Sequence, residues 1–112
     1  MEMKELVNLL QMNYSMNNVK AFVSSNGNEL IVNIKDDEIV STYYQMKEIL
    51  NNRNRYSPID ISTAEKFMSS IKENSIQGIK NQNPQDRAFF IQAGVKKYTA
   101  LVDGNHLYTI DY

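Results

Sequence analysis

The sequence predicts a single α+β domain, built from one mostly antiparallel sheet of about four strands with helices packed on one of its faces. Two pairs of short apolar runs flank Asn-Gly and Asp-Gly dipeptides, which is the pattern of two β-hairpins. Other segments repeat apolar residues at intervals of three and four, as amphipathic helices do. An isolated hairpin is only marginally stable in water, so we expect both hairpins to join one sheet. The 112 residues are the usual size of one domain, and the predicted order across residues 1–112 is α-β-β-α-α-α-β-β.

The first predicted elements are a helix over residues 3–14 and a hairpin formed by residues 19–25 and 28–35. Asn26-Gly27 favours a type I′ turn, because both central residues of that turn need a positive φ. A two-residue loop at this dipeptide places six apolar side chains on one face of the hairpin, in the pairs Val23–Leu30, Ala21–Val32 and Val19–Ile34. A slip of one residue would scatter these side chains between the two faces, so the turn chemistry and the apolar pattern agree.

A second helix is predicted to begin after Asp36-Asp37, since carboxylates are favoured at a helix N-terminus, and to run to about residue 52. Its apolar stripe consists of Ile39, Tyr43, Met46 and Leu50. An alternative stays open for residues 38–44, which are rich in β-formers and could pair back as a third strand. We favour the helix because its stripe continues beyond residue 44.

A loop and a third helix follow. Residues 51–58 are polar and aperiodic, which predicts a loop. The segment from Ser62 to Glu65 fits a capping box, so the third helix is expected to start there and to end near Asn74. Residues 75–82 are compatible either with a longer helix or with a short extended piece.

A fourth helix has matching signals at both of its ends. Asn83 is the predicted cap, Pro84 is the first helical residue, and Gly94 lies just beyond the last turn. Phe89 and Phe90 are the residues that this helix is expected to bury.

The second hairpin is formed by residues 95–102 and 106–112, with Asp103-Gly104-Asn105 as the predicted turn. A three-residue loop places Tyr98, Ala100 and Val102 opposite Ile110, Tyr108 and His106, with all six side chains on one face. A strict two-residue loop would mix the two faces.

The composition argues against several classes of function. The chain has no cysteine and a single histidine, His106, so thiolate metal sites, disulfides and multi-histidine metal sites are excluded. No phosphate-binding glycine loop and no nucleophile motif is present, so we expect a non-enzymatic protein without a cofactor or a metal. The acidic cluster Asp36-Asp37-Glu38 lacks the alternating ligands of a calcium loop and is interpreted as a helix cap. Neither a signal peptide nor a membrane span is apparent, so a cytoplasmic protein without a membrane partner is expected.

The candidate binding residues are basic or aromatic. Arg53, Arg55 and Tyr56 share one predicted loop, where two guanidinium groups and a ring could grip a phosphate, a base or an acidic partner. A second basic group consists of Lys96 and Lys97. Two residues of the last strand complete the set, because tyrosine is favoured at protein interfaces: Tyr108 and Tyr112.

These features favour a small protein-interaction module, such as a regulator, an immunity-type protein or an inhibitor of a host or defence factor. The last strand is a candidate sheet edge with little protection, which also predicts a homodimer through that edge. The alternative is a nucleic-acid-binding module using Arg53, Arg55, Tyr56, Lys96 and Lys97, although a net charge of −1 argues against strong electrostatic binding. The fourteen asparagines are typical of AT-rich genomes, such as those of low-GC bacteria and their phages.

Overall fold

A computed structural model describes residues 1–112 and confirms the predicted fold class and the order α-β-β-α-α-α-β-β. The helices are α1 (Met3–Met16), α2 (Asp37–Asn51), α3 (Pro58–Lys80) and α4 (Pro84–Gln92). The strands are β1 (Ala21–Asn26), β2 (Glu29–Ile34), β3 (Lys97–Val102) and β4 (Asn105–Asp111). A 3₁₀ turn, Arg53–Arg55, connects α2 to α3.

The sheet is mixed, with the strand order β1-β2-β3-β4. Each hairpin forms an antiparallel pair, whereas β2 and β3 lie side by side in parallel. A parallel pair needs a long crossover connection, and here α2, α3 and α4 together supply it. Both hairpins therefore belong to one sheet, as predicted.

The loop of the first hairpin differs from the prediction by one residue. Its two residues are Gly27-Asn28, and only Gly27 has a positive φ, at 62°, as the first central position of a type II′ turn requires. The register shifts accordingly, so that Val23 lies opposite Val32 rather than opposite Leu30. Because the register shifts by two positions, each paired side chain stays on the face of the sheet that was predicted for it. Val19 loses its predicted partner and is 46% exposed.

The second hairpin has a shorter loop than predicted. Asp103 and Gly104 both have positive φ values, 47° and 80°, which is the type I′ arrangement. Val102 therefore pairs with Asn105 rather than with His106, although the predicted pairs Tyr98–Ile110 and Ala100–Tyr108 are confirmed. A β-bulge between His106 and Tyr108 inserts one extra residue into β4. Beyond the bulge, Tyr108 and Ile110 lie on the face predicted for them.

The second helix is confirmed, and residues 38–44 are helical rather than a third strand. Asp36 is its cap, since its side chain accepts a hydrogen bond from the Ile39 N–H at 3.0 Å. The predicted start of α3 is wrong by five residues, since the cap is Ser57 and not Ser62. The hydroxyl of Ser57 accepts from the Asp60 N–H at 3.2 Å, and Pro58 occupies the first position of the helix.

The core lies between the sheet and the helices. Six buried apolar side chains of the sheet occupy alternate positions and form one cluster with Leu6 of α1 and Phe90 of α4: Ala21, Leu30, Val32, Tyr98, Ala100 and Tyr108. Ser75 near the C-terminal end of α3 contacts Tyr108, so this end of α3 packs on β4. The molecule is elongated, 50 × 25 × 23 Å, because a 23-residue helix is roughly 34 Å long and extends beyond the short strands. None of the helices combines the length and the apolar character that crossing a membrane demands.

The face of the sheet that points away from the helices has no covering layer. The side chains on it come from the positions that alternate with the core residues: Phe22, Ser24, Asn26, Glu29, Ile31, Asn33, Lys97, Thr99, Leu101, His106, Thr109 and Asp111. Phe22 is 60% exposed there. We call this surface the open face, and it agrees with the prediction that helices cover one side only.

Candidate functional site

The predicted arginine loop forms the turn between α2 and α3. Arg53 and Arg55 are exposed in the 3₁₀ turn, and Tyr56 is half-buried immediately after it. One guanidinium is already paired, since Nη1 of Arg53 lies 3.4 Å from Oε1 of Glu65 in α3. Two exposed guanidinium groups, of which one is already paired, offer a binding partner only weak electrostatic attraction.

The predicted lysine pair lies elsewhere. Lys96 precedes β3 and Lys97 is its first residue, next to Tyr98, and both lysines are exposed. Ile79, near the C-terminal end of α3, lines the same groove as Tyr98, whereas the arginine turn precedes the N-terminal end of α3. The two basic groups are therefore separated by most of the length of α3, roughly 30 Å. The structure does not bring them together on one surface.

The two predicted tyrosines belong largely to the interior. Tyr108 is only 3% exposed, and its hydroxyl lies 2.6 Å from Oγ of Ser75. Tyr112 is partly buried, with its ring 5.2 Å from the ring of Phe90 and its hydroxyl donating to Oε1 of Gln82. Tyr108 is thus a core residue and not part of a binding surface, because its position in β4 faces the helices.

The acidic cluster also has structural partners. Asp36 caps α2, and Asp37 lies 3.1 Å from Nζ of Lys20. No group of three or more histidine or carboxylate side chains is arranged to hold a metal ion.

A chain of hydrogen bonds crosses the open face and was not foreseen from the sequence. Thr99 donates to Oε2 of Glu29 at 2.5 Å, so it accepts from Thr109, whose Oγ1 lies 2.8 Å away. Nε2 of His106 lies 2.8 Å from the same Thr109 oxygen, and the donors therefore run from His106 towards Glu29. Thr99 is the one buried polar residue of the protein, at 5% exposure. This series of hydrogen bonds holds the side chains in the middle of the open face.

The β1 edge of the sheet is capped by a side chain. Ala21, Val23 and Ser25 point their backbone N–H and C=O groups away from β2. The amide of Gln11 in α1 donates to the Ala21 carbonyl at 3.0 Å and accepts from the Val23 N–H at 2.9 Å. It therefore takes the place that the backbone of a further strand would occupy.

The opposite edge has no such cap. The Tyr112 N–H donates to the Lys96 carbonyl at 2.9 Å, which fixes the alternation along β4 and turns the backbone groups of Thr109 and Asp111 outward. Both residues are exposed, and β4 pairs only with β3. We call these outward groups, with their flanking side chains, the β4 edge. Backbone donors and acceptors in this state form a template for a strand from another chain.

Replacing Gln11 by alanine should expose the β1 edge. We expect the Val23 amide to exchange its hydrogen about fivefold faster, because one hydrogen bond of roughly 1 kcal/mol is lost. Amide hydrogen exchange followed by NMR measures this effect. Asn8→Ala, at an exposed position of the same helix, is the control and should leave Val23 unchanged. Equal protection of Val23 in the wild type and in Gln11→Ala would show that the side-chain cap does not form in solution.

Comparisons of the chain with models of protein families, with curated proteins and with solved structures find no match. The function of this chain is therefore inferred from its own geometry. Within that geometry, the difference between the two sheet edges is the feature that points most directly to binding.

Proposed function

We propose that this chain is a small cytoplasmic protein-interaction module that binds an extended segment of a partner protein along the β4 edge. The observation that carries the proposal is the contrast between the two edges. Gln11 binds the outward carbonyl of Ala21 and the outward N–H of Val23, whereas the outward groups of Thr109 and Asp111 are unpaired. An exposed edge is either protected or used for pairing, and this protein protects one edge only.

The side chains that flank the edge define the kind of strand that fits. On the helix side, Leu107 and Ile110 are partly buried hydrophobic residues. On the open side, His106, Thr109 and Asp111 present polar groups. A strand with alternating apolar and polar residues would place its apolar side chains beside the first group and its polar side chains beside the second. A regulator or an inhibitor that captures such a segment fits this chemistry.

A second copy of the chain is one partner that satisfies these conditions. Two antiparallel β4 strands can place Ile110 opposite Ile110 of the second copy, which pairs Thr109 with Asp111 of the second copy. This register joins outward backbone groups to outward backbone groups and keeps the two aspartates from facing each other. The homodimer predicted from the sequence is therefore one form of the proposed function.

Substituting proline for Asp111 should weaken binding at this edge about tenfold, because an outward N–H is lost and the ring obstructs a neighbouring strand. Proline is tolerated at an edge position whose N–H points outward, so the fold should persist. Ser25→Pro on β1 is the matched control, since its N–H also points outward but at the other edge. Self-association is measured by analytical ultracentrifugation over a range of protein concentrations. Binding of displayed strand-forming peptides is measured in parallel.

The proposal predicts that Asp111→Pro loses the dimer or the peptide while Ser25→Pro keeps it. If neither self-association nor peptide binding distinguishes the two variants, the β4 edge is not a binding surface. If nuclease-sensitive nucleic acid binds both variants with a steep dependence on salt, the nucleic-acid alternative replaces the proposal.

A further inference from the structure

A groove with a volume of about 350 Å³ opens between α1 and α4, at the C-terminal end of α3. Its floor consists of three buried residues, Leu6, Phe90 and Tyr98, which are 1%, 3% and 5% exposed. Its volume lies in the range of small-molecule sites in proteins, which are mostly apolar clefts with a few polar groups. This groove is on the helix side of the fold and is separate from the β4 edge.

The walls of the groove are rich in aromatic rings. Tyr14 stands on α1 and Phe89 on α4, and with Phe90 and Tyr98 they give the groove four aromatic rings. Leu9, on the outer lip, is 40% exposed, so an apolar surface remains available to a ligand. Rings arranged in this way bind apolar groups, and their faces also attract cations.

The only charged residue that lines the groove is Asp86, in the first turn of α4. No lysine, arginine or histidine lines it. Burial raises the pKa of the Tyr14 phenol, and the negative charge of Asp86 raises it further, so the field of this carboxylate reaches into the groove.

An anion is not expected at this place, even though helix N-termini often attract anions. The Asp86 N–H is already taken, since it donates to Oδ1 of Asn83 at 2.8 Å. The carboxylate of Asp86 itself supplies the negative charge that the N-terminus of α4 favours. A second negative group would be repelled.

We propose that the groove between α1 and α4 binds an apolar amine, whose hydrocarbon part lies against the aromatic walls and whose ammonium group faces Asp86. The charge of the site selects the cation, and the rings stabilise both parts of the ligand. This inference is independent of the proposed strand-binding function, because no residue of the groove belongs to the β4 edge.

The test uses three probes with one carbon skeleton: 4-phenylbutylamine, 4-phenylbutanol and 4-phenylbutyrate. Each is titrated into the full chain and followed by NMR chemical shifts. We expect the amine to bind about fivefold more tightly than the alcohol, which is the upper end of what one exposed ion pair contributes. The butyrate should bind more weakly than the alcohol. The shift changes should concentrate at Leu6, Tyr14 and Phe89.

Asp86→Asn should abolish the preference for the amine over the alcohol while leaving the affinity for the alcohol unchanged. Asp60→Asn is the matched control, because Asp60 also lies in the first turn of a helix that has a capping residue and a proline, and it is far from the groove. This control should retain the full preference. Equal binding of the three probes, or shift changes at the open face instead of the groove, would overturn the inference. So would the absence of any binding by the amine while the spectrum shows a folded protein.

Discussion

Leu30→Ala should lower the free energy of unfolding by about 3 kcal/mol, one of the two largest effects expected in this protein. Leu30 is 0% exposed in β2, where it lies between Ser25 of β1 and Tyr98 of β3. Removal of its side chain loses the transfer free energy of the buried carbons and leaves a cavity that the packed helices cannot readily fill. Urea denaturation measures the loss as a lower midpoint with an unchanged slope.

Ile31→Ala is the matched control for this prediction, since Ile31 is the next residue of the same strand and points to the open face. We expect a loss of about 1 kcal/mol or less, because the side chain is only partly buried. A loss as large as that of Leu30→Ala would mean that another layer covers the open face in solution. The comparison of the two variants therefore also tests whether the sheet is covered on one side only.

The hairpins illustrate how much of the fold the turn residues predict. The positions of both turns follow from Asn-Gly and Asp-Gly, because few other residues accept a positive φ. The sequence does not specify which two residues occupy the centre of the first turn. Gly27-Asn28 suits a type II′ turn as well as Asn26-Gly27 suits a type I′ turn. The bulge in β4 is likewise not specified by a local pattern, and its extra residue, Leu107, packs against the core.

The helices were predicted where their capping signals were recognised. Asn83 and Pro84 marked α4 correctly, whereas the equivalent pair Ser57-Pro58 was placed in a loop. The later pattern from Ser62 to Glu65 resembles the start of a helix, but it lies inside α3. The serine followed by a proline at Ser57-Pro58 is the local signal that marks the true beginning of α3.

The candidate binding surface was predicted only in part. The position of the last strand at the end of a hairpin predicts that it is a sheet edge. The cap that Gln11 provides on the other edge joins residues ten and twelve positions apart, and the parallel pairing of β2 with β3 is what places Thr99 beside Glu29. Such contacts depend on the tertiary arrangement, which local patterns do not specify. The basic residues that the sequence favoured are separated for the same reason.

Above pH 10, we expect the fold to lose stability steeply, because two tyrosines are held in the core. Tyr98 is 5% exposed and Tyr108 is 3% exposed. Burial raises the pKa of both phenols above the ordinary value of 10.0. The nearby phenol of Tyr14 raises the pKa of Tyr98 further, whereas the hydrogen bond with Ser75 offsets part of the shift at Tyr108.

The sign of this effect follows from the protonation of the phenols in the folded and the unfolded chain. Below pH 10 these phenols are neutral in the folded and the unfolded chain, so their contribution to stability is fully present. Above pH 10 the unfolded chain releases protons that the folded chain retains. The free energy of unfolding then falls by about 1.4 kcal/mol per pH unit for Tyr98, until the pH passes its folded pKa. Tyr108 adds a smaller fall, because the hydrogen bond with Ser75 offsets part of the rise of its pKa.

Urea denaturation at a series of pH values on both sides of 10 measures this slope, and the absorbance of the phenolate form reports when the rings ionise. Tyr98→Phe should reduce the slope by the share of one tyrosine, about 1.4 kcal/mol per pH unit. Ile31→Ala is the control, since it removes a side chain of the open face and no phenol, so the slope should stay that of the wild type. A slope that is the same in the wild type and in Tyr98→Phe would show that the Tyr98 phenol ionises as easily in the folded chain as in the unfolded one. Tyr98 would then lie in contact with water, and the floor assigned to the groove between α1 and α4 would not exist in solution.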